Sequence, residues 1–166
     1  MTQRSTDPAT TRGEPPGPTD DSGVPAPPAA SAAVPAEPIA SATQRILVVG
    51  DDHRVRDSLA DLIGLADGVQ IVGTTSRPAE TLEALRRLAP DVVVVDPYLP
   101  DLPAGLELIG ALRRSGHVMR IVVTCRDDGL DVIALAAGAD VCVDWCADPG
   151  ALQEAVVAAA NANGSR

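Results

Sequence analysis

From Arg45 to the end of the chain, short apolar runs alternate with stretches in which apolar residues recur every three to four positions. "RILVVGDD" and "VQIVGTT" read as the first two strands, and between them "VRDSLADLIGLA" sets Val55, Leu59, Leu62 and Ile63 on one helical stripe. A second helix is expected to begin near Pro78, turn Leu82, Leu85 and Leu88 inward and end at Pro90. "PDVVVVDPYLPD" supplies strand three. Its four valines lack polar alternation, which fits a strand buried on both faces, and Pro97 and Pro100 end it at once. "AGLELIGALRRSG" follows as helix three, with Leu106, Ile109 and Leu112 apolar and Gly116 as its stop. "VMRIVVTC" is strand four, "LDVIALAAG" helix four and "DVCVDW" strand five. The last helix is capped by Asp148, with Pro149 at its first position. Five repeats of strand then helix predict an α/β domain, a doubly wound parallel sheet with right-handed crossovers and helices on both faces.

Residues 1–44 break this pattern. They hold nine of the fifteen prolines and almost no large apolar side chains, so they cannot bury enough surface to offset their ordering entropy. The expected division is a disordered Pro/Ala-rich tail over 1–44 and one domain over 45–166. "SAAVPAEPIASA" has no basic start and its apolar run is broken by proline, unlike a secretory signal, and no segment is long and apolar enough to span a bilayer. The net charge of −10 lies mostly on the domain, because the tail sets Arg4 and Arg12 against Asp7, Glu14, Asp20, Asp21 and Glu37. An acidic domain has no electrostatic footprint for nucleic acid. Three cysteines without an export signal suit a reducing cytoplasm. Every basic residue is arginine; the chain has no lysine.

Open α/β sheets carry their binding and reactive groups at the carboxyl ends of the strands. Here those ends supply Asp51 and Asp52, then Asp96, then Thr124. Carboxylates gathered this way repel one another, and a hard cation such as Mg²⁺ resolves the cost by taking oxygen ligands. Asp96 would then act as a nucleophile toward a phosphoryl group, with the Thr124 hydroxyl donating to a phosphoryl oxygen. Taken singly, each acid reads better as a solvated cap and Thr124 as a β-branched strand residue. Cys142 and Cys146 lie four apart, with Cys125 expected on the neighbouring strand; this is a weak zinc signal, and buried inert cysteines are the better reading. His53 reads as a solvated loop histidine, and Arg86, Arg87, Arg113 and Arg114 as solvated helix faces. Gly50 belongs to no nucleotide-binding glycine pattern.

As a set, these residues resemble the receiver domain of bacterial two-component response regulators, in particular those of the LuxR/NarL class. The likeness covers 45–166 and is carried by "PDVVVVDPYLPD" followed by "GLELI", by "RIVVT", and by "AGAD" with Pro149 and Leu152 further on. It implies a flavodoxin-like (βα)5 fold with strand order 2-1-3-4-5. It also implies Asp96 as phosphoacceptor, Thr124 as the hydroxyl switch residue, and Mg²⁺ held by Asp51, Asp96 and the backbone carbonyl of Tyr98. The implied partners are a histidine kinase or another signalling protein. Contacts, homodimerisation among them, would use the face formed by helix four, strand five and helix five. The implied role is non-enzymatic and cytoplasmic.

The departures are specific. Gapless alignment puts Gly50 where the family has the first of two acids and Asp51 at the second; a one-residue shift would pair Asp51 with Asp52 but disturb the match at Val55, Arg56 and Leu59. One extra residue lies between Pro100 and Gly105, and Cys142 replaces the aromatic of strand five. Trp145 occupies the place of the family's phosphoryl-binding lysine, a charge-assisted hydrogen bond worth about 1.5–3 kcal/mol. Arg126, two residues beyond Thr124, is within reach of the site but is bulkier and differently aimed. Trp145 either plugs the pocket or anchors a partner. With only "NANGSR" after the last helix, the expectation is an atypical stand-alone receiver, phosphorylated weakly at Asp96 or working as a phosphorylation-independent protein-binding module. A phosphatase of related fold is disfavoured, because Tyr98 stands where its second acid would be.

Overall fold

The computed structural model describes residues 43–126 and 129–163. The elements run β1 (Gln44–Val49), α1 (His53–Gly64), β2 (Val69–Thr75), α2 (Pro78–Leu88), β3 (Val92–Val95), α3 (Leu102–Arg114), β4 (Arg120–Thr124), α4 (Leu130–Ala137), β5 (Val141–Val143) and α5 (Pro149–Asn163). All strand pairs are parallel and the order is β2-β1-β3-β4-β5, the flavodoxin-like arrangement expected from the sequence. Among the described residues, no helix is long and apolar enough to cross a membrane.

The apolar strands have two buried faces because successive side chains point to opposite sides. Leu47, Val49, Val93, Val95, Ile121 and Val123 pack with Leu85 of α2, Leu108, Ile109 and Leu112 of α3 and Leu130 of α4. On the other face Ile46, Val48, Val92, Val94 and Val122 pack with Leu59 and Ile63 of α1 and Leu152 and Val156 of α5. Each fully buried side chain of this size contributes about 1.5–3 kcal/mol relative to exposure, so the unbroken valine run places β3 in the middle of the sheet.

Several boundaries differ from expectation, each for a local reason. Gln44 already belongs to β1, one residue inside the expected tail; residues 1–42 lie outside the described residues. Helix α3 starts at Leu102, earlier than expected, because the Asp101 side chain accepts from the N–H of Ala104 at 2.9 Å and caps it. The extra residue after Pro100 is therefore absorbed into the start of a helix. β5 spans three residues instead of six. Asp144 ends it by accepting from the N–H groups of Cys146 and Ala147, both at 3.1 Å, which turns the chain and puts Trp145 beyond the strand. The expected Asp148 cap is present: its side chain accepts from Gly150 N at 2.9 Å. Arg113 is not simply a solvated helix residue. With Arg120 it pairs with Asp140, whose carboxylate also accepts from Ile121 N at 2.8 Å.

Candidate functional site

The carboxyl ends of β1, β3 and β4 meet at one rim of the sheet. Asp96 follows β3 directly and its N–H donates to Val49 O at 2.8 Å, so the last ladder bond of the sheet fixes its backbone. The residue is only 4% exposed. Both of its oxygens have partners: Oδ1 accepts from Tyr98 N at 3.1 Å, and Oδ2 accepts from the Arg126 guanidinium at 3.2 Å. A buried carboxylate needs such partners, since an unpaired buried charge is costly. Thr124, the last residue of β4, is fully buried, and its hydroxyl makes a long 3.5 Å contact with Val95 O. Arg126 thus reaches Asp96, and Thr124 stands at the end of the neighbouring strand.

The acids after β1 do something else. Asp51 is exposed. Asp52, also exposed, caps α1 by accepting from Arg54 N at 2.8 Å, and that backbone hydrogen bond is the main cause that lowers its pKa below the usual aspartate value. Among the described residues no three His, Cys, Asp or Glu side chains gather in a way that would hold a metal ion. Of these carboxylates, Asp52 serves a helix end and Asp96 an arginine. Gly50 is buried, and Arg56 Nη1 donates to its carbonyl at 2.8 Å. A Cβ at Gly50 would lie 3.5 Å from that of Asp96, an ordinary contact. Tyr98, half-buried, packs against the α2/α3 side of the core, while its N–H holds Asp96. His53 is exposed at the first residue of α1.

A family model for the response regulator receiver domain matches residues 46–157. The chain belongs to the receiver domain family. This receiver domain is 36% identical over 97 residues to the response regulator GacA of Pseudomonas viridiflava, a match covering 57% of this chain and 45% of that protein. It is 32% identical over 118 residues to the nitrate/nitrite response regulator protein NarP of Escherichia coli, covering 70% and 54% respectively. The chain thus spans about half the length of these relatives. Among solved structures, a two-component response regulator of the LuxR family from Aurantimonas sp. SI85-9A1 superposes with a TM-score of 0.66 at 30% identity, over 72% of this chain and 86% of that one.

The remaining side chains of the receiver's rim are unlike those expected. Trp145 is half-buried against the α1/α5 side of the core, and its indole N–H is buried with no hydrogen-bond partner among the described residues. Cys125 and Cys142 were expected to be inert thiols; they are paired across β4 and β5, with Cα atoms 6.0 Å apart. Cys146 is exposed rather than buried. The pairing had a weak signal in the sequence, since Cys125 follows β4 directly and Cys142 lies on the neighbouring strand β5. The Arg113, Arg120 and Asp140 cluster had none, because its members are spread along 28 residues and only the fold joins them.

Proposed function

We propose that this chain is an atypical receiver of two-component signalling, in which Arg126 holds the acceptor Asp96 in an ion pair and phosphoryl acceptance is slow. The observation that carries this reading is the Arg126 to Asp96 contact at 3.2 Å, with the Asp96 side chain 6% exposed. Trp145 supplies no cation where the family has lysine, so the arginine two residues past Thr124 takes that charge role from a different direction. Asp96 Oδ2 is engaged by the guanidinium and Asp52 by the helix cap, so Mg²⁺ would compete with Arg126 for Asp96, and Asp51 and the Tyr98 carbonyl would be its further oxygens. Thr124 would receive a phosphoryl oxygen once Arg126 swings aside.

Phosphorylation would add roughly −1.5 to −2 charge at pH 7. Driving a switch from 1:99 to 99:1 needs about 5.5 kcal/mol of differential interaction. With no lysine, such a swing is not available at full size, and output runs through protein contacts that stay open without phosphate. The domain acts as a non-enzymatic cytoplasmic module. Its partner, a histidine kinase, another signalling protein or a second copy, docks on the face of α4, β5 and α5. In support, α4 exposes Val132, Ile133 and Leu135, and a shallow pocket of about 300 Å³ lies along Val141, Ala155, Ala158 and Ala162.

The test is intact-mass measurement during incubation with acetyl phosphate and Mg²⁺. The parent is expected to gain phosphate slowly and substoichiometrically, Arg126→Ala several-fold faster, and Asp96→Asn not at all. Rapid, complete modification of the parent, lost in Asp96→Asn, would make it an ordinary phosphoreceiver.

A further inference from the structure

Cys125 and Cys142 stand apart from the other polar features of the rim because both flank the acceptor machinery without belonging to it. Cys125 directly follows Thr124 and directly precedes Arg126; its N–H donates to Val143 O at 2.8 Å, and the residue is 7% exposed. Cys142 lies on β5, half-buried and packed against the same core cluster as Cys125. Their Cα separation of 6.0 Å falls within the range of about 4.4–6.8 Å that a disulfide spans. The pair closes a loop that contains all of α4, so a bond here ties the segment carrying Thr124 and Arg126 to the edge strand.

We infer that Cys125 and Cys142 form a redox-sensitive clamp on the acceptor site: oxidation by a peroxide joins them and holds Arg126 on Asp96, and reduction by a small thiol frees Cys125 and with it the neighbouring Arg126. This rests on the reading of Arg126 as the group that occludes Asp96. The Cys142 thiolate, the more accessible of the two, attacks one oxygen of hydrogen peroxide. An S–O bond forms, the O–O bond breaks, and hydroxide leaves to become water. The Cys125 thiol then attacks the sulfenic sulfur, forming S–S and breaking S–O, and its proton leaves with the second hydroxide as water. Two thiols lose two electrons in all and the peroxide is reduced to two waters. Cys146, the exposed third cysteine, lies outside the pair.

The experiment uses the full chain carrying Cys146→Ser, reduced with dithiothreitol and then treated with hydrogen peroxide. Trypsin cuts after Arg120 and Arg126, so a Cys125 to Cys142 bond joins peptide 121–126 to the peptide that begins at residue 127, and the loss of two hydrogen masses is read directly. The linked peptide is expected in near-stoichiometric yield, together with at least several-fold slower hydrogen exchange over 124–142. Phosphorylation of Asp96 by acetyl phosphate should be several-fold slower in the oxidised form, and the difference should vanish with Cys125→Ala or Cys142→Ser. Absence of the linked peptide, or a linked form with unchanged exchange, would overturn the clamp. Fast and equal phosphorylation of both forms, with the linked peptide and slowed exchange present, would instead sink the Arg126 reading and leave the crosslink standing alone.

Discussion

Gly105 and Gly110 sit on the same helix, yet the structure predicts opposite outcomes for the same substitution. A Cβ built at Gly105 would lie 1.8 Å from Pro97 O, 2.5 Å from Pro97 C and 2.9 Å from Pro97 Cα, so backbone meets backbone and the helix or the loop after Asp96 must give way. At Gly110 the nearest atom is the Arg114 guanidinium at 2.9 Å, the far end of a side chain that swings aside. Alanine gains about 0.8–1 kcal/mol over glycine in a helix interior. Overpacking a close-packed site costs about 1–3 kcal/mol, and a rigid clash this short belongs at the upper end. Gly105→Ala is therefore expected to lose about 2 kcal/mol net, and Gly110→Ala to gain about 0.5–1 kcal/mol. With a urea m-value of about 1–3 kcal/mol/M, the midpoint should fall by about 1 M in the first and rise by a few tenths of 1 M in the second. Equilibrium urea unfolding followed by circular dichroism reads both. If Gly105→Ala is as stable as the parent, α3 does not seat on the Pro97 carbonyl, and the position of the Tyr98 N–H on Asp96 loses its support.

Other outcomes follow from single side chains. Burial pushes the Asp140 carboxyl up, but hydrogen bonds from Ile121 N, Arg113 and Arg120 outweigh it, so its pKa is lowered. Its contribution is thus present above the ordinary aspartate value and lost as pH falls through the lower folded one. Asp140→Ala should cost about 2 kcal/mol at pH 7, chiefly from the stranded Ile121 N–H, since the half-exposed ion pairs are worth little; an acid-unfolding profile identical to the parent's would contradict this. Gly50→Asp should tighten Mg²⁺ binding followed by Trp145 fluorescence, because a Cβ there makes only ordinary contacts and the rim gains a carboxylate; unchanged affinity would remove Gly50 from the site. Asp52→Asn should leave the thermal midpoint and Mg²⁺ affinity unchanged, since asparagine caps as well as aspartate, and weaker Mg²⁺ binding would mark Asp52 as a ligand. Trp145→Lys should speed phosphorylation by acetyl phosphate while lowering the thermal midpoint, because it removes a ring packed on the α1/α5 core; an unchanged rate would count against the missing lysine as the cause.

The alternation of strand and helix was legible because each element carries its own periodicity. β3 was read from four valines, α2 and α4 from their stripes and stops, and α5 from Asp148 and Pro149. Asp96 and Thr124 were legible as rim residues because a parallel sheet puts all its strand ends at one rim. What the pattern could not resolve were the elements bounded by side chains borrowed from nearby. α3 begins where Asp101 caps it, and β5 stops where Asp144 takes two N–H groups.

Sequence alone thus determined the fold class, the strand order implied by its resemblance, and the identity of the rim residues, since these depend on local periodicity and on which residue follows each strand. Only the tertiary structure decided their partners. That Arg126 lies on Asp96, that Asp140 joins Arg113 to Arg120, and that Cys125 meets Cys142 are distances between segments separated in the chain. A carboxylate's role is set by the cation or N–H within about 3 Å of it, and no spacing along a single chain specifies which of several candidates arrives there first.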